Sequence, residues 1–130
     1  HQPFRSFYNS MRNILVIDDE RPILKLIQYA LSQAGFDAEV APGGREGIQK
    51  FEDGSYDVVI TDIRMPGVDG RDVVNHIRNS NRPQTPIIGC SGTPWLLEDS
   101  TFDTVFEKPF KLKELVHSVQ MLSSKAASAV

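Results

Sequence analysis

Polar and charged side chains follow four apolar runs of the sequence, at the points where buried strands would give way to loops. They are Asp18, Asp19 and Glu20 after the first run, Asp62 after the third, Ser91 after the fourth, and Lys108 with Pro109 after the fifth. A carboxylate at the end of a buried strand loses hydration free energy unless something compensates it. Taken singly, each acid is better explained as a loop residue or helix cap. Together they indicate a site.

The aspartates suggest a cation site. If the first and third strands are neighbours, Asp18, Asp19 and Asp62 converge, and like charges that close raise one another's pKa unless a cation intervenes. Magnesium takes one or two carboxylates, keeps several waters and accepts phosphate oxygens. A pocket without His or Cys ligands therefore favours Mg²⁺ over zinc. Lys108 would offset charge on the opposite side of Asp62.

The elements that would position these residues are predicted from short apolar runs alternating with amphipathic stretches. The predicted strands are 14–17, 37–40, 56–61, 86–90 and 105–107, and the predicted helices are 22–34, 44–51, 70–79 and 111–122. This alternation is typical of a parallel sheet covered by helices on both faces. The predicted fold class is α/β with a doubly wound five-stranded sheet, in which ligands bind beyond the carboxyl ends of the strands.

Glycine and proline mark the ends of these elements. Pro22 suits the first turn of a helix, and Gly35 suits the left-handed residue that ends it. Gly67 and Gly70 allow the chain to turn sharply after Asp62.

Bulk composition narrows the class of protein. The 130 residues suit one domain, and 40% hydrophobic with 24% charged residues describe an ordinary soluble globule. A formal charge of −3 argues against a dominant nucleic-acid surface. Without a membrane-length apolar run or a signal peptide pattern, the cytoplasm is the expected location. Cys90, the only cysteine, excludes a disulfide framework and is expected in the core.

The chain ends differ from the part between them. Residues 1–10, "HQPFRSFYNS", precede Met11 without periodicity and are expected to be an irregular leader or a remnant of protein expression. Residues 124–130 are small and polar and suit a tail or the start of a linker. The predicted domain is 11–123.

Four motifs on these predicted elements carry a resemblance to a known family. "LVIDDE", "TDIRMPGVDG", "GCSG" and "FEKPF", in this order, resemble the receiver domain of two-component response regulators from Met11 to about Ser123. The resemblance implies a flavodoxin-like sheet in the order 2-1-3-4-5.

The resemblance also implies a magnesium site. Asp19 matches the direct Mg²⁺ ligand and Asp18 the ligand that acts through water. Asp62 completes the set with the backbone carbonyl of Arg64.

The remaining roles concern the phosphoryl group. Asp62 matches the phosphoacceptor, which receives the group from a sensor histidine kinase or phosphotransfer protein. Ser91 matches the hydroxyl that hydrogen-bonds the phosphoryl group, and Lys108 the lysine that pairs with it. The bond from Lys108 to Pro109 is typically cis in this family. In-line phosphoryl transfer needs nearby positive charge to neutralise the equatorial oxygens, and Mg²⁺ and Lys108 would supply it.

The sequence departs from the family in the region that transmits the signal. Many receivers carry a mobile aromatic residue where this chain has Val105, and Phe106 is expected on the opposite face because strand side chains alternate. Only 12 residues, Thr93 to Thr104, connect the fourth and fifth strands. This crossover is therefore expected to hold a shortened or irregular fourth helix, with 94–99 as its candidate range. Trp95 is expected to pack over this region rather than to stay partly exposed as a contact.

Three classes of function follow. The leading one is a Mg²⁺-dependent signalling switch, not a turnover enzyme, that acts on an output domain or target protein and belongs to a family whose members often form homodimers. An interaction module independent of phosphorylation is favoured mildly by Val105 and the short crossover. An aspartyl phosphatase ranks last, because its second acid would stand where Arg64 lies.

Overall fold

Five strands and four helices make up the described part of the chain, residues 11–92 and 101–128 of a computed structural model. The strands are β1 Asn13–Ile17, β2 Asp37–Ala41, β3 Val58–Asp62, β4 Ile87–Ser91 and β5 Thr104–Glu107. The helices are α1 Arg21–Gln33, α2 Gly44–Asp53, α3 Gly70–Arg78 and α4 Leu112–Ser128. No helix within the described ranges has the length and apolar character needed to cross a membrane.

The strands form one parallel sheet in the order β2-β1-β3-β4-β5. Ile17 pairs with Thr61, Asp62 with Cys90, and Ser91 with Glu107. The strands are therefore in register where β1, β3, β4 and β5 end, and the residues that follow them meet at one edge. The predicted fold class and strand order are confirmed.

Alternating side chains divide the core into two layers, one on each face of the sheet. Ile14 and Val16 of β1 lie in the layer under α1 and α4, whereas Leu15 and Ile17 lie in the layer under α2 and α3. Helices cover both faces of the sheet, so side chains on both faces are apolar and the strands show no alternation of polar and apolar residues. Cys90 lies in the first layer with 2% of its surface exposed, as predicted.

The predicted turn signals are confirmed at both ends of α1 and after β3. Pro22 stands in the first turn of α1, and Gly35 follows that helix with a φ of 91°. Gly67 has a φ of 73° in the loop that leads to α3. Positive φ values of this size strain residues with a Cβ atom, which explains glycine at both places.

Helix α4 ends at Ser128, whereas the sequence predicted an end near Leu122. The added turns run through "SSKAAS". Alanine is the strongest helix former, so the small residues that suggested a frayed end also extend a helix. The expected short helix at 94–99 and the packing of Trp95 fall outside the described residues.

Arg78 joins three segments at the edge of the sheet opposite the strand carboxyl ends. Its guanidinium donates to the backbone oxygens of Pro83 and Thr85, each at 2.7 Å, and to that of Thr101 at 2.9 and 3.2 Å. It also pairs with Asp103 at 3.0 Å, and the same Asp103 oxygen accepts the amide of Ile87 at 2.7 Å. The start of β5 is thereby fastened to α3 and β4.

Phe102 packs directly on β4 beside this contact. Phe102 is 6% exposed, and a Cβ atom on Gly89 would lie 2.7 Å from its ring. Val105, half-buried, belongs to the same layer. Phe106 lies in the other layer, 5.8 Å from the ring of Phe110, which confirms the prediction that it points to the opposite face.

Candidate functional site

Strand β3 places Asp62 at the carboxyl edge of the sheet. All five residues of β3 are buried, and Asp62 itself is 6% exposed. The chain turns away at once, because the amide of Gly70 donates to the oxygen of Ile63 at 2.9 Å. A Cβ atom on Gly70 would collide with the backbone oxygen of Asp62. Glycine at position 70 is therefore what allows α3 to begin against the site.

Three carboxylates meet at this edge. Oxygens of Asp18, Glu20 and Asp62 all lie within 4.8 Å of one another. Asp18 is 3% exposed, and its Oδ1 accepts the amide of Glu20 at 2.9 Å. The sequence placed Asp18 and Asp62 here correctly.

Lys108 faces all three carboxylates. Its Nζ lies 3.2 Å from Asp62, 3.5 Å from Asp18 and 3.9 Å from Glu20. The backbone amide of Lys108 donates to the oxygen of Ser91 at 2.8 Å, which fixes the end of β5 beside that of β4. The peptide bond to Pro109 is cis, as the resemblance implied.

Burial and charge shift the pKa values of the site. Burial raises the pKa of Asp62 to about 6, with Lys108 opposing and Asp18 and Asp19 adding to the rise. Burial likewise raises the pKa of Asp18 against the Glu20 amide and Lys108. For Lys108, burial acts to lower the pKa, but Asp62 and Asp18 outweigh it, so the pKa is raised. Asp62 is thus a carboxylate at neutral pH, and Lys108 is a cation.

Ser91, Asp19 and Arg64 are the other site residues that the sequence predicts. Ser91 is 1% exposed and directly follows Cys90, the residue of β4 that pairs with Asp62 of β3. Asp19 is exposed and lies outside the group of three carboxylates, although its charge reaches Asp62. Arg64 is exposed two residues after Asp62. Asp19 therefore does not join Asp18 and Asp62 in this cluster as the sequence predicts. The roles that the resemblance implies for these three residues stay predictions.

Glu20 is the member of the site that the sequence did not predict. The sequence places it with the acids after β1 but indicates no role for it. Glu20 is the N-cap residue of α1, so its place depends on how α1 leaves the sheet. The signal available in the sequence was the third acid of "DDE" just before Pro22.

The donor set fits Mg²⁺. The clustered carboxylates supply hard oxygen atoms, and no histidine or thiolate belongs to the group. Two of the three acids are almost fully buried, and close buried carboxylates need positive charge. Cys90, in the neighbouring layer, does not compete as a ligand, because burial raises its pKa to about 12 and keeps it a thiol.

The fold and site define a class: doubly wound α/β domains with clustered acids and one lysine at the carboxyl edge of the sheet. The family profile described as "Response regulator receiver domain" matches residues 14–120. The chain therefore belongs to the receiver domain family of response regulators, the proteins of two-component signalling.

Individual relatives agree with this assignment. The transcriptional regulatory protein TrcR of Mycobacterium tuberculosis is 33% identical over 119 residues, 88% of this chain and 46% of that protein. The receiver domain of the Francisella response regulator 1452 is 31% identical with a TM-score of 0.81, covering 88% of this chain and 98% of that one. TrrA of Thermotoga maritima, solved with Mg²⁺ and BeF, is 35% identical with a TM-score of 0.80, covering 86% and 99%. The chain spans about half the length of the curated relatives it matches.

Proposed function

We propose that Asp62 accepts a phosphoryl group from a sensor histidine kinase or phosphotransfer protein in a Mg²⁺-dependent reaction. A carboxylate oxygen of Asp62 would attack phosphorus, the bond from phosphorus to the donor imidazole would break, and the imidazole nitrogen would keep the released electron pair and take up a proton. The observation that carries the proposal is the position of Asp62: buried, 3.2 Å from Lys108, and next to Asp18.

Each residue of the site has a distinct part in this reaction. Asp18, Asp19, Asp62 and the backbone carbonyl of Arg64 would hold Mg²⁺, which would neutralise charge on the phosphoryl oxygens. The ammonium of Lys108 would neutralise it from the other side. The hydroxyl of Ser91 would then donate a hydrogen bond to the phosphoryl group.

An apolar groove beside the site favours the proposal that the phosphodonor is a protein. The groove is about 480 Å³ and contains Glu20 and Lys108 at one end. Its apolar part consists of Ile23, Leu26, Ile27, Pro109, Phe110 and Leu112. Leu26 is 53% exposed. An apolar partner surface would bury these side chains and bring its phosphorylated histidine to Asp62.

The phosphorylated domain would act as a switch rather than a turnover enzyme, since the group stays on the protein until water removes it. The chain covers 46% of TrcR, a transcriptional regulatory protein. We therefore propose that an output domain or separate target reads the switch, with a homodimer as one form of that readout. We also propose a cytoplasmic location, and direct nucleic-acid binding by this segment is not expected at a net charge of −3.

The test is a titration with Mg²⁺ and beryllofluoride, followed by backbone amide shifts and by the fluorescence of Trp95, the only tryptophan. The wild type should respond to the two together, and Asp62→Asn should not. Asp37→Asn removes an exposed acid from β2 and serves as the matched control. An equal response in Asp62→Asn would exclude Asp62 as the acceptor.

The interaction module independent of phosphorylation makes the opposite prediction. Val105 favours it, since position 105 carries no aromatic side chain and Phe106 lies in the opposite layer. A chain that binds neither Mg²⁺ nor beryllofluoride would be such a module.

A further inference from the structure

Lys108 contacts one exposed acid, Glu20, and two buried acids, Asp18 and Asp62. The side chains of Asp18 and Asp62 are 4% and 8% exposed, whereas that of Glu20 is 62% exposed. We propose that Glu20 is a positioning residue that holds Lys108 toward the mouth of the site and thereby weakens the binding of an anion at Asp62. This inference rests on the proposed phosphoacceptor role of Asp62.

The backbone of Glu20 is fixed at the boundary between the site and the apolar groove. Its amide donates to Asp18 Oδ1 at 2.9 Å, and its carbonyl accepts the amides of Ile23 and Leu24 at 3.0 and 3.1 Å. The first turn of α1 therefore determines where its side chain starts. From that point the carboxylate reaches Lys108 at 3.9 Å.

A divalent cation does not need Glu20. Magnesium usually takes one or two protein carboxylates and keeps several waters. Asp18 and Asp62 already supply two buried carboxylates, and Asp19 lies close enough to raise the pKa of Asp62. The charge of Glu20 is thus surplus to the metal, and Lys108 is the cation within its reach.

An anion on Asp62 changes what Lys108 must do. The ammonium of Lys108 has to turn from the three carboxylates toward the oxygens or fluorines of the bound anion. The carboxylate of Glu20 opposes this in two ways, because it attracts the ammonium and repels the anion. Unlike Asp18 and Asp62, Glu20 keeps most of its hydration. It is also not the residue that accepts the phosphoryl group. Removing its charge should therefore favour the anion-bound form without dismantling the site.

The decisive experiment measures the affinity of beryllofluoride at saturating Mg²⁺ for wild type, Glu20→Gln and the matched control Glu107→Gln. Glu107 is an exposed acid next to Lys108 in the chain, so the control removes the same charge from the end of β5. We expect Glu20→Gln to bind beryllofluoride about three- to tenfold more tightly, as befits a partly screened charge near 4 Å. Glu107→Gln should change the affinity by less than about twofold.

Two further readouts separate this role from a structural one. The gain in Glu20→Gln should shrink at about 0.5 M salt, where exposed charges are screened. The side-chain NMR signal of Lys108 should shift in metal-free Glu20→Gln and stay unchanged in Glu107→Gln. Affinity for Mg²⁺ alone, measured by amide shifts, should fall by no more than about twofold.

Three results would overturn the inference. Unchanged or weaker beryllofluoride binding in Glu20→Gln, with a normal wild-type response, would reject the role of Glu20 alone. A tenfold loss of Mg²⁺ affinity without a gain for beryllofluoride would make Glu20 a metal ligand instead. A wild type that binds no beryllofluoride would reject the proposed function itself.

Discussion

Replacing Asp62 by asparagine should stabilise the metal-free fold at neutral pH. Burial raises the pKa of Asp62 from its ordinary 3.8 to about 6, so the folded state binds a proton more tightly than the unfolded chain does. Ionising the folded carboxylate therefore costs free energy. A rise in the pKa of Asp62 from 3.8 to about 6 corresponds to an ionisation cost of about 3 kcal/mol in the folded state. Asparagine avoids this cost but weakens the contact with Lys108, so a net gain of about 1–3 kcal/mol is expected.

The sign of the effect determines its pH window. Below about pH 4 Asp62 is protonated in the folded state and the cost is absent. As the pH rises from about 4 to 6 the wild type loses this stability, and above the folded pKa the loss is complete. The difference between Asp62→Asn and wild type should therefore be small at pH 4 and reach its full size by about pH 7.

Urea unfolding in EDTA at pH 4, 5, 6 and 7.5 measures the difference directly. Asp37→Asn, which removes an exposed acid of β2, is the matched control. Added Mg²⁺ should stabilise the wild type and narrow the gap, because the ion binds the folded carboxylates. A variant less stable than wild type at pH 7.5, or a difference independent of pH, would refute the assignment of Asp62 as a buried, costly carboxylate.

Three further changes test contacts away from the chemistry. Arg82→Ala should lower the free energy of unfolding by about 2–3 kcal/mol, with Arg82→Lys recovering less than half, because the guanidinium donates to Phe51 and Gly54 oxygens at 2.6 Å and lies 4.4 Å from the Phe51 ring. Gly89→Ala should lower the free energy of unfolding by about 1–3 kcal/mol, because the added methyl group would clash with the ring of Phe102. The loss should be smaller in a Phe102→Leu background. Arg78→Lys should destabilise by about 1–3 kcal/mol, since an ammonium cannot serve Pro83, Thr85, Thr101 and Asp103 together.

Urea titrations measure all three, and each has its own contrary result. Equal stabilities of Arg82→Lys and wild type would show that charge alone suffices at that position. Additive costs of Gly89→Ala and Phe102→Leu would mean that the two residues do not press on each other. Hydrogen exchange at the Ile87 amide should rise in Arg78→Lys, and unchanged exchange would show that Asp103 holds that amide without help.

The sheet and the buried acids could be predicted from the sequence because their signals are local. Apolar runs such as Val58 to Ile60 mark strands, and parallel strands necessarily bring Asp18, Asp62 and Lys108 to one edge. Family resemblance supplied the strand order, which periodicity does not contain. The strand and helix limits near the site were correct to within one or two residues.

What the sequence did not predict depends on contacts between distant segments. Arg78 and Arg82 look like solvated arginines, and only the folded chain brings carbonyl groups to them. Gly89 appears as a gap in an apolar strand, and the ring of Phe102 fills it. Glu20 enters the site because α1 begins where it does, a boundary that patterns fix only approximately.

The order of strands in the sheet also has a consequence for how the site comes into being during folding. Its acids come from the first half of the chain, and the cation opposing them is Lys108, which directly follows the last strand of the sheet. Until β5 docks beside β4, bringing Asp18 and Asp62 together places two uncompensated negative charges at one edge. Closing the sheet before its final strand arrives should therefore cost more free energy than closing it with Lys108 in place.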